Sequence, residues 1–163
     1  MPRLVVAPDK FRGTATAHEV AGAVGGAASA LGWTVDPFPL SDGGEGLLEV
    51  CDVTGSQLRT TTVIGPDGRG VEASWRIKGD VAIVEMARAS GLSLVGGPGG
   101  NDPLQATSYG TGQLIAAAAA AVGSAGTVVV GLGGSATTDG GAGTIAAIEA
   151  SGGAERSDPC GSL

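Results

Sequence analysis

Three short stretches hold most of the residues able to do chemistry, and each begins where an apolar run stops. In "APDKFRGT" (residues 7–14), Asp9 could hold Mg²⁺ or a hydroxyl, while Lys10 and Arg12 could clamp a carboxylate or a phosphate. A solvated loop with a weak local ion pair would use the same residues. In "SDGGEG" (residues 41–46), Asp42 and Glu45 are spaced as a helix N-cap and its N3 partner. A plain cap has no need of Gly43, Gly44 and Gly46, each of which costs a helix start about 1 kcal/mol. Those glycines point to close approach by a ligand. In "GLGGSATTDGGAG" (residues 131–143), six of thirteen residues are glycine. Bare backbone at the end of a strand admits a phosphate, a carboxylate or merely a neighbouring helix.

Residues 131–136 of the third stretch satisfy the pattern G-x-G-x-x-A, a weak dinucleotide signal by itself, and the Walker pattern occurs nowhere. The hydroxyls of Ser135, Thr137 and Thr138 precede a helix start at Asp139, where converging amides form an anion site. An acid in that spot argues for capping or for a metal-bridged phosphate. "EMARASG" adds Glu85 and Arg88, which suit either a site or an ordinary ion pair, and His18 reads as a surface residue of the first helix.

The elements that must position these stretches follow from pattern. "RLVVAP" reads as a buried parallel strand, and apolar residues from Ala17 to Leu31 recur at helical spacing behind a Thr16–Glu19 capping box. "WTVDPFPL" reads as a second strand, and "SDGGEGLLEVCDVTG" as a turn opening a second helix. This is an α/β chain whose first part is a layer with parallel pairing. Residues 57–86, rich in β-branched residues and cut by "PDG" and "KGD", read as an antiparallel meander and not as a further β-α-β unit. A helix over about 110–123, the strand "GTVVVGL" and a last helix with Ile145 and Ile148 complete the pattern. The boundary is expected near residue 60, giving a first unit over 1–60 and part of a second α/β domain over 61–163.

Composition narrows the function classes. The 163 residues include 31 glycines, against a usual share of ~7%, with no G-X-Y period. A net charge of −7 argues against a nucleic-acid or membrane-surface binder, so an anionic ligand must be held by local donors. The uncharged run from Leu114 to Thr138 is alanine-rich and broken by Gly123 and Gly126, which fits a buried helix, a turn and a strand better than a membrane span. Cys51 and Cys160 match no metal spacing, and the apolar start is too short for a signal peptide, so a cytoplasmic protein is expected.

"APDKFRGT", "SDGGEG", "VEMARASGL", "SYGTGQLI" and "GLGGSATTDGGAG", in this order, resemble bacterial glycerate kinases of the glycerate 2-kinase type, from about residue 3 to residue 152. The resemblance implies ATP-dependent phosphorylation of D-glycerate with Mg²⁺, and a first part that is a Rossmann-like parallel-sheet segment, meeting a second α/β domain at a cleft. It implies that Arg12 with Lys10 holds the glycerate carboxylate or the transferring phosphoryl group. Asp9, Asp42, Glu45 and Asp139 become the candidates for Mg²⁺ or hydroxyl contacts, with Asp42 and Asp139 as the metal pair. Gly133, Gly134 and Ser135 become donors to the nucleotide. Members of the family are longer and carry a later "TGEG…D" motif, so a truncated chain is expected, one that self-associates through surface its missing half would cover. The alternatives are a dinucleotide-binding oxidoreductase-type protein, which NADH titration would reveal, and a non-catalytic interaction module.

Overall fold

The computed structural model describes residues 1–11 and 13–152. Arg12 and Cys160 therefore lie outside the described residues. The first layer is a two-stranded parallel sheet of β1 (Arg3–Val6) and β2 (Thr34–Pro37), in register from Arg3↔Thr34 to Val6↔Pro37. Helix α1 (Ala17–Ala30) connects them and turns Ala17 and Ala21 inward. The expected capping box is present: Thr16 Oγ1 accepts the Glu19 amide at 3.1 Å, and the Thr16 amide donates to Glu19 Oε2 at 2.8 Å. Pairing continues past both strands, with the Phe38 amide donating to Val6 O and the Leu40 amide to Pro8 O, each at 2.8 Å. The chain segments beginning at residues 9 and 41 thus leave the sheet side by side.

The second layer is a four-stranded sheet in the order β3 (Gln57–Ile64), β4 (Gly70–Lys78), β5 (Val81–Glu85) and β6 (Thr127–Gly131). The meander read from the sequence is β3–β4–β5, antiparallel throughout. The expected boundary at residue 60 falls inside β3, in mid-ladder, where Thr60 faces Ser74. One element of the reading needs correction. β6 lies parallel to β5, from Val81↔Thr127 to Glu85↔Gly131, so β5, helix α4 (Tyr109–Val122) and β6 form a β-α-β unit grafted onto the meander. The long glycine-rich connection, which holds the one-turn helix α3 (Ala87–Ser90) and two short 3₁₀ turns, hid it.

The core lies between α4 and one face of this sheet. Strand period brings Ala73, Trp75 and Ile77 of β4 to the same face as Val63, Ala82 and Val84, where Leu114 and Ala118 of α4 meet them. Trp75 keeps its indole N–H satisfied by Thr61 Oγ1 at 3.0 Å. The opposite face carries Arg76, which anchors the segment following β2: Nε donates to Leu48 O at 2.7 Å, Nη1 to Ser56 Oγ at 3.1 Å, and Nη2 pairs with Asp52 at 2.8 Å. β6 is an edge strand, and Val129 and Leu132 are exposed beside it. No helix among the described residues is long and apolar enough to cross a membrane.

Helix α5 (Ala142–Ala150) packs on α4 at Gly112, where an added Cβ would meet Thr144 O and lie 2.7 Å from Ala147 Cβ. Gly112→Ala should therefore cost about 1–3 kcal/mol, because backbone must move to admit the methyl. Gly22→Ala, mid-α1 with open space around it, should stabilise by about 0.5–1 kcal/mol. Urea melts of the two variants check the pair, and similar midpoints would contradict it.

Candidate functional site

The turn after β1, the turn after β2 and the turn after β6 come together. Lys10 reaches from the first to the second, placing Nζ 3.3 Å from Asp42 Oδ1 and 3.5 Å from Glu45 Oε2. Its side chain is only 14% exposed, so these carboxylates, not bulk water, set its surroundings. The second turn lies on the third, backbone against backbone. A Cβ on Gly133 would sit 2.6 Å from Gly44 Cα, and one on Gly131 would sit 2.5 Å from Gly43 O. Glu45 then closes the triangle: a Cβ on Gly134 would lie 2.7 Å from Glu45 Cδ. The immediate reason for bare backbone at 131–134 is this neighbouring turn.

A cavity of about 400 Å³ opens between the first turn, the start of α1 and residues 45–50. Asp9, Lys10, Glu45, Glu49 and Arg88 supply its charged walls, with Phe11 and Leu40 among the apolar ones. His18, exposed as expected, stands at the edge of the cavity. Asp9 Oδ1 accepts the Lys10 amide at 2.7 Å, which shapes the turn. The third turn does not line the cavity and reaches it through Glu45.

Asp42 and Glu45, whose spacing also suits a cap, do not form one. Helix α2 (Leu47–Val50) starts later, and its N-cap is Gly46, in left-handed conformation with φ 98°. Asp42 Oδ1 instead accepts the Gly44 amide at 2.8 Å, closing an Asx-type turn. The orphan amide of Leu48 goes to Glu85, whose side chain is fully buried at the end of β5: Oε2 accepts Leu48 N–H at 3.1 Å, and Oε1 accepts Arg88 Nε–H at 3.1 Å. Burial pushes the Glu85 carboxyl above its usual range, against the pull of the Leu48 amide and Arg88. Burial also works against the Arg88 charge, yet Glu85 and Glu49 hold its pKa above the ordinary value. Glu49 was not singled out from sequence; its one signal is a place a helical turn beyond Glu45. Arg76 gave no signal at all, since an arginine in a meander reads as a solvated strand residue.

The third turn is bonded on its far side to residues 90–92 and 101–108. Leu92 N–H donates to Gly134 O at 2.8 Å and Ala136 N–H to Ser90 O at 2.9 Å. Asn101 Nδ2 donates to Ala136 O, and Thr137 Oγ1 to Ala106 O, both at 2.7 Å. Ser135 Oγ accepts the Thr137 amide at 3.1 Å. Four consecutive amides, those of Leu132, Gly133, Gly134 and Ser135, donate to no acceptor among the described residues. Such a run is able to receive an anion. A dinucleotide fingerprint needs its helix to open within the motif, whereas α5 begins at Ala142, six residues beyond Ala136.

A family model described as the glycerate kinase family matches residues 4–160. The chain belongs to the glycerate kinase family. It is 42% identical over 153 residues to a protein named glycerate 2-kinase from Escherichia coli K12, covering 91% of this chain and 39% of that one. It is 40% identical over 151 residues to a glycerate kinase from Bacillus subtilis 168, covering 90% of this chain and 39% of that one. A crystal structure named for glycerate kinase 2 from Salmonella typhimurium LT2 superposes with a TM-score of 0.70 at 38% identity, covering 90% of this chain and 40% of the other. The chain thus spans about two fifths of the length of the glycerate kinases it matches.

Within this family member, Asp139 stands apart from the cavity. Its Oδ2 accepts the Ser108 amide and hydroxyl, both at 2.8 Å, and the Gly143 amide at 3.2 Å, while Oδ1 accepts the Gly141 amide at 2.9 Å. Burial raises its pKa, but these bonds outweigh that and hold it below the usual carboxylate range. Mg²⁺ takes oxygen donors in near-octahedral geometry. Both Asp139 oxygens are committed, Asp42 Oδ1 is shared by Lys10 and Gly44, and no group of three metal-ligating acids, histidines or cysteines occurs among the described residues. No step is derived through a magnesium ion.

A carboxylate with a depressed native pKa contributes stability above its unfolded value, near 3.8, and that contribution is lost as pH falls through the native value. Asp139→Asn should thus lower stability by about 1–3 kcal/mol at pH 7, with the gap to wild type shrinking below pH 4. Urea midpoints from pH 7 to pH 2.5 test this, and a constant gap would refute it. Gly133→Ala should cost about 1–3 kcal/mol by forcing the second and third turns apart. An unchanged melting temperature would show that the turns are not held in contact.

Proposed function

We propose that this chain forms the acceptor-binding part of an ATP-dependent kinase that phosphorylates D-glycerate. The observation that carries the reading is the Lys10 contact with Asp42 and Glu45, since it joins two of the turns that leave strand ends at one cavity. Ligands in open α/β sheets bind at such ends. In the transfer, a glycerate hydroxyl oxygen attacks the terminal phosphorus, the bond to the ADP oxygen breaks, and the hydroxyl proton is released. The work of the protein in such a step is positioning and charge stabilisation. Lys10, with Arg12, takes the carboxylate or the transferring phosphoryl group. Asp9, Asp42 and Glu45 orient the hydroxyls. The unpaired amides of Gly133, Gly134 and Ser135 take phosphate oxygens of the nucleotide.

Because the chain spans two fifths of its relatives, binding is the appropriate readout. Calorimetric titration of the 163-residue chain should show saturable D-glycerate binding, weakened about ten-fold or more in Lys10→Met. Absence of saturable D-glycerate binding in wild type, or saturable NADH binding in its place, would overturn the reading.

A further inference from the structure

Arg88 has no part in the reading above, yet among the described residues it is the one guanidinium in the cavity wall. Its donors are divided between partners of different kinds. Nε donates to Glu85 at 3.1 Å, Nη2 pairs with Glu49, and Nη1 has no acceptor among the described residues. Glu85 has no exposed side-chain surface, and separating it from Arg88 would leave a buried charge uncompensated. Glu49 is 51% exposed, and its carboxylate can move into water at little cost. The inner edge of the guanidinium is therefore fixed, and its outer partner is exchangeable. The outer edge, Nη1 and Nη2, has the spacing that pairs two N–H donors with the two oxygens of a carboxylate.

We propose that the outer edge of Arg88 is the carboxylate seat of the cavity, and that Glu49 occupies it until a ligand carboxylate displaces it. The inference rests on the reading of the cavity as a glycerate site and refines it. The acid end of the ligand goes to Arg88, leaving Lys10, beside Asp42 and Glu45, to the hydroxyl and phosphoryl end. Glu85 is then a positioning residue that acts through Arg88.

The test compares D-glycerate with its neutral amide, D-glyceramide, by calorimetry on the full chain in wild type, Arg88→Lys and Glu49→Gln. Arg88→Lys keeps a cation beside Glu85 but loses the planar fork. It should raise the D-glycerate Kd about ten-fold or more and leave D-glyceramide within about two-fold. Glu49→Gln removes the internal competitor and should tighten D-glycerate binding by about three- to ten-fold, with D-glyceramide again unchanged. A purely structural Arg88 would move neither preference. If wild type binds D-glycerate and Glu49→Gln leaves the glycerate-to-glyceramide ratio as it was, the Arg88 seat is wrong while the cavity reading stands. If Arg88→Lys does not fold, Glu49→Gln decides alone. No D-glycerate binding in wild type overturns both.

Discussion

Two glycine turns touching through their backbones hold this molecule's layout in place. One follows the short parallel sheet, the other follows the edge strand of the larger sheet, and Gly44 lies on Gly133 as Gly43 lies on Gly131. A side chain at the end of a flexible stem can rotate out of a clash, but a peptide cannot. The contact therefore excludes a methyl group at Gly131 and Gly133, which accounts for glycine there before any ligand is considered, whereas Gly43 on the facing turn is set by its left-handed φ of 89°. It also fixes where Glu45 and Lys10 stand, because both are bonded within or across the same turns.

Charged side chains make the second connection between the layers. The larger sheet and the one-turn helix after β5 reach across with Arg76, Glu85 and Arg88, which hold the segment from Leu48 to Ser56 through a carbonyl, an amide, a hydroxyl and two acids. With a net charge of −7, the chain offers no general attraction to an anion. The described cations at the cavity are instead each matched to acids, Lys10 to Asp42 and Glu45, Arg88 to Glu85 and Glu49. Matched cations are oriented in advance, and a ligand carboxylate or phosphate gains by replacing the most exposed of their partners. Selectivity then comes from which internal acid is replaceable, a local property that net charge does not report.

Much of the scaffold was legible because it is written in local chemistry. The capping box at Thr16 and Glu19 and the turn residues of the meander each act over a few residues, and each appears as read. The clustering of Lys10, Asp42 and Glu45 was also legible, from the rule that turns after parallel strands gather at one end of a sheet. What failed depended on partners distant in sequence. The start of the second helix was not legible, because a buried acid thirty-seven residues after Leu48 takes its amide and the helix begins only after Gly46. The pairing of β6 with β5 was hidden by a connection too irregular to show a helical period until Tyr109. Glu49 and Arg76 went unnoticed because their roles exist only once the two layers are in contact.

Stability and binding are consequently linked in this chain. A ligand spanning the Lys10 turn and the Arg88 wall touches both layers at once, whereas one resting only on the amides of Leu132 to Ser135 touches a turn already tied down on two sides. Any ligand specific for the native state stabilises it by RT ln(1 + L/Kd), where L is the free ligand concentration. The bridging ligand replaces Glu49 on Arg88 while the buried Glu85 bond keeps the guanidinium in place. The contact most exposed to water is thus the one exchanged, and the contacts that hold the layers together are left intact.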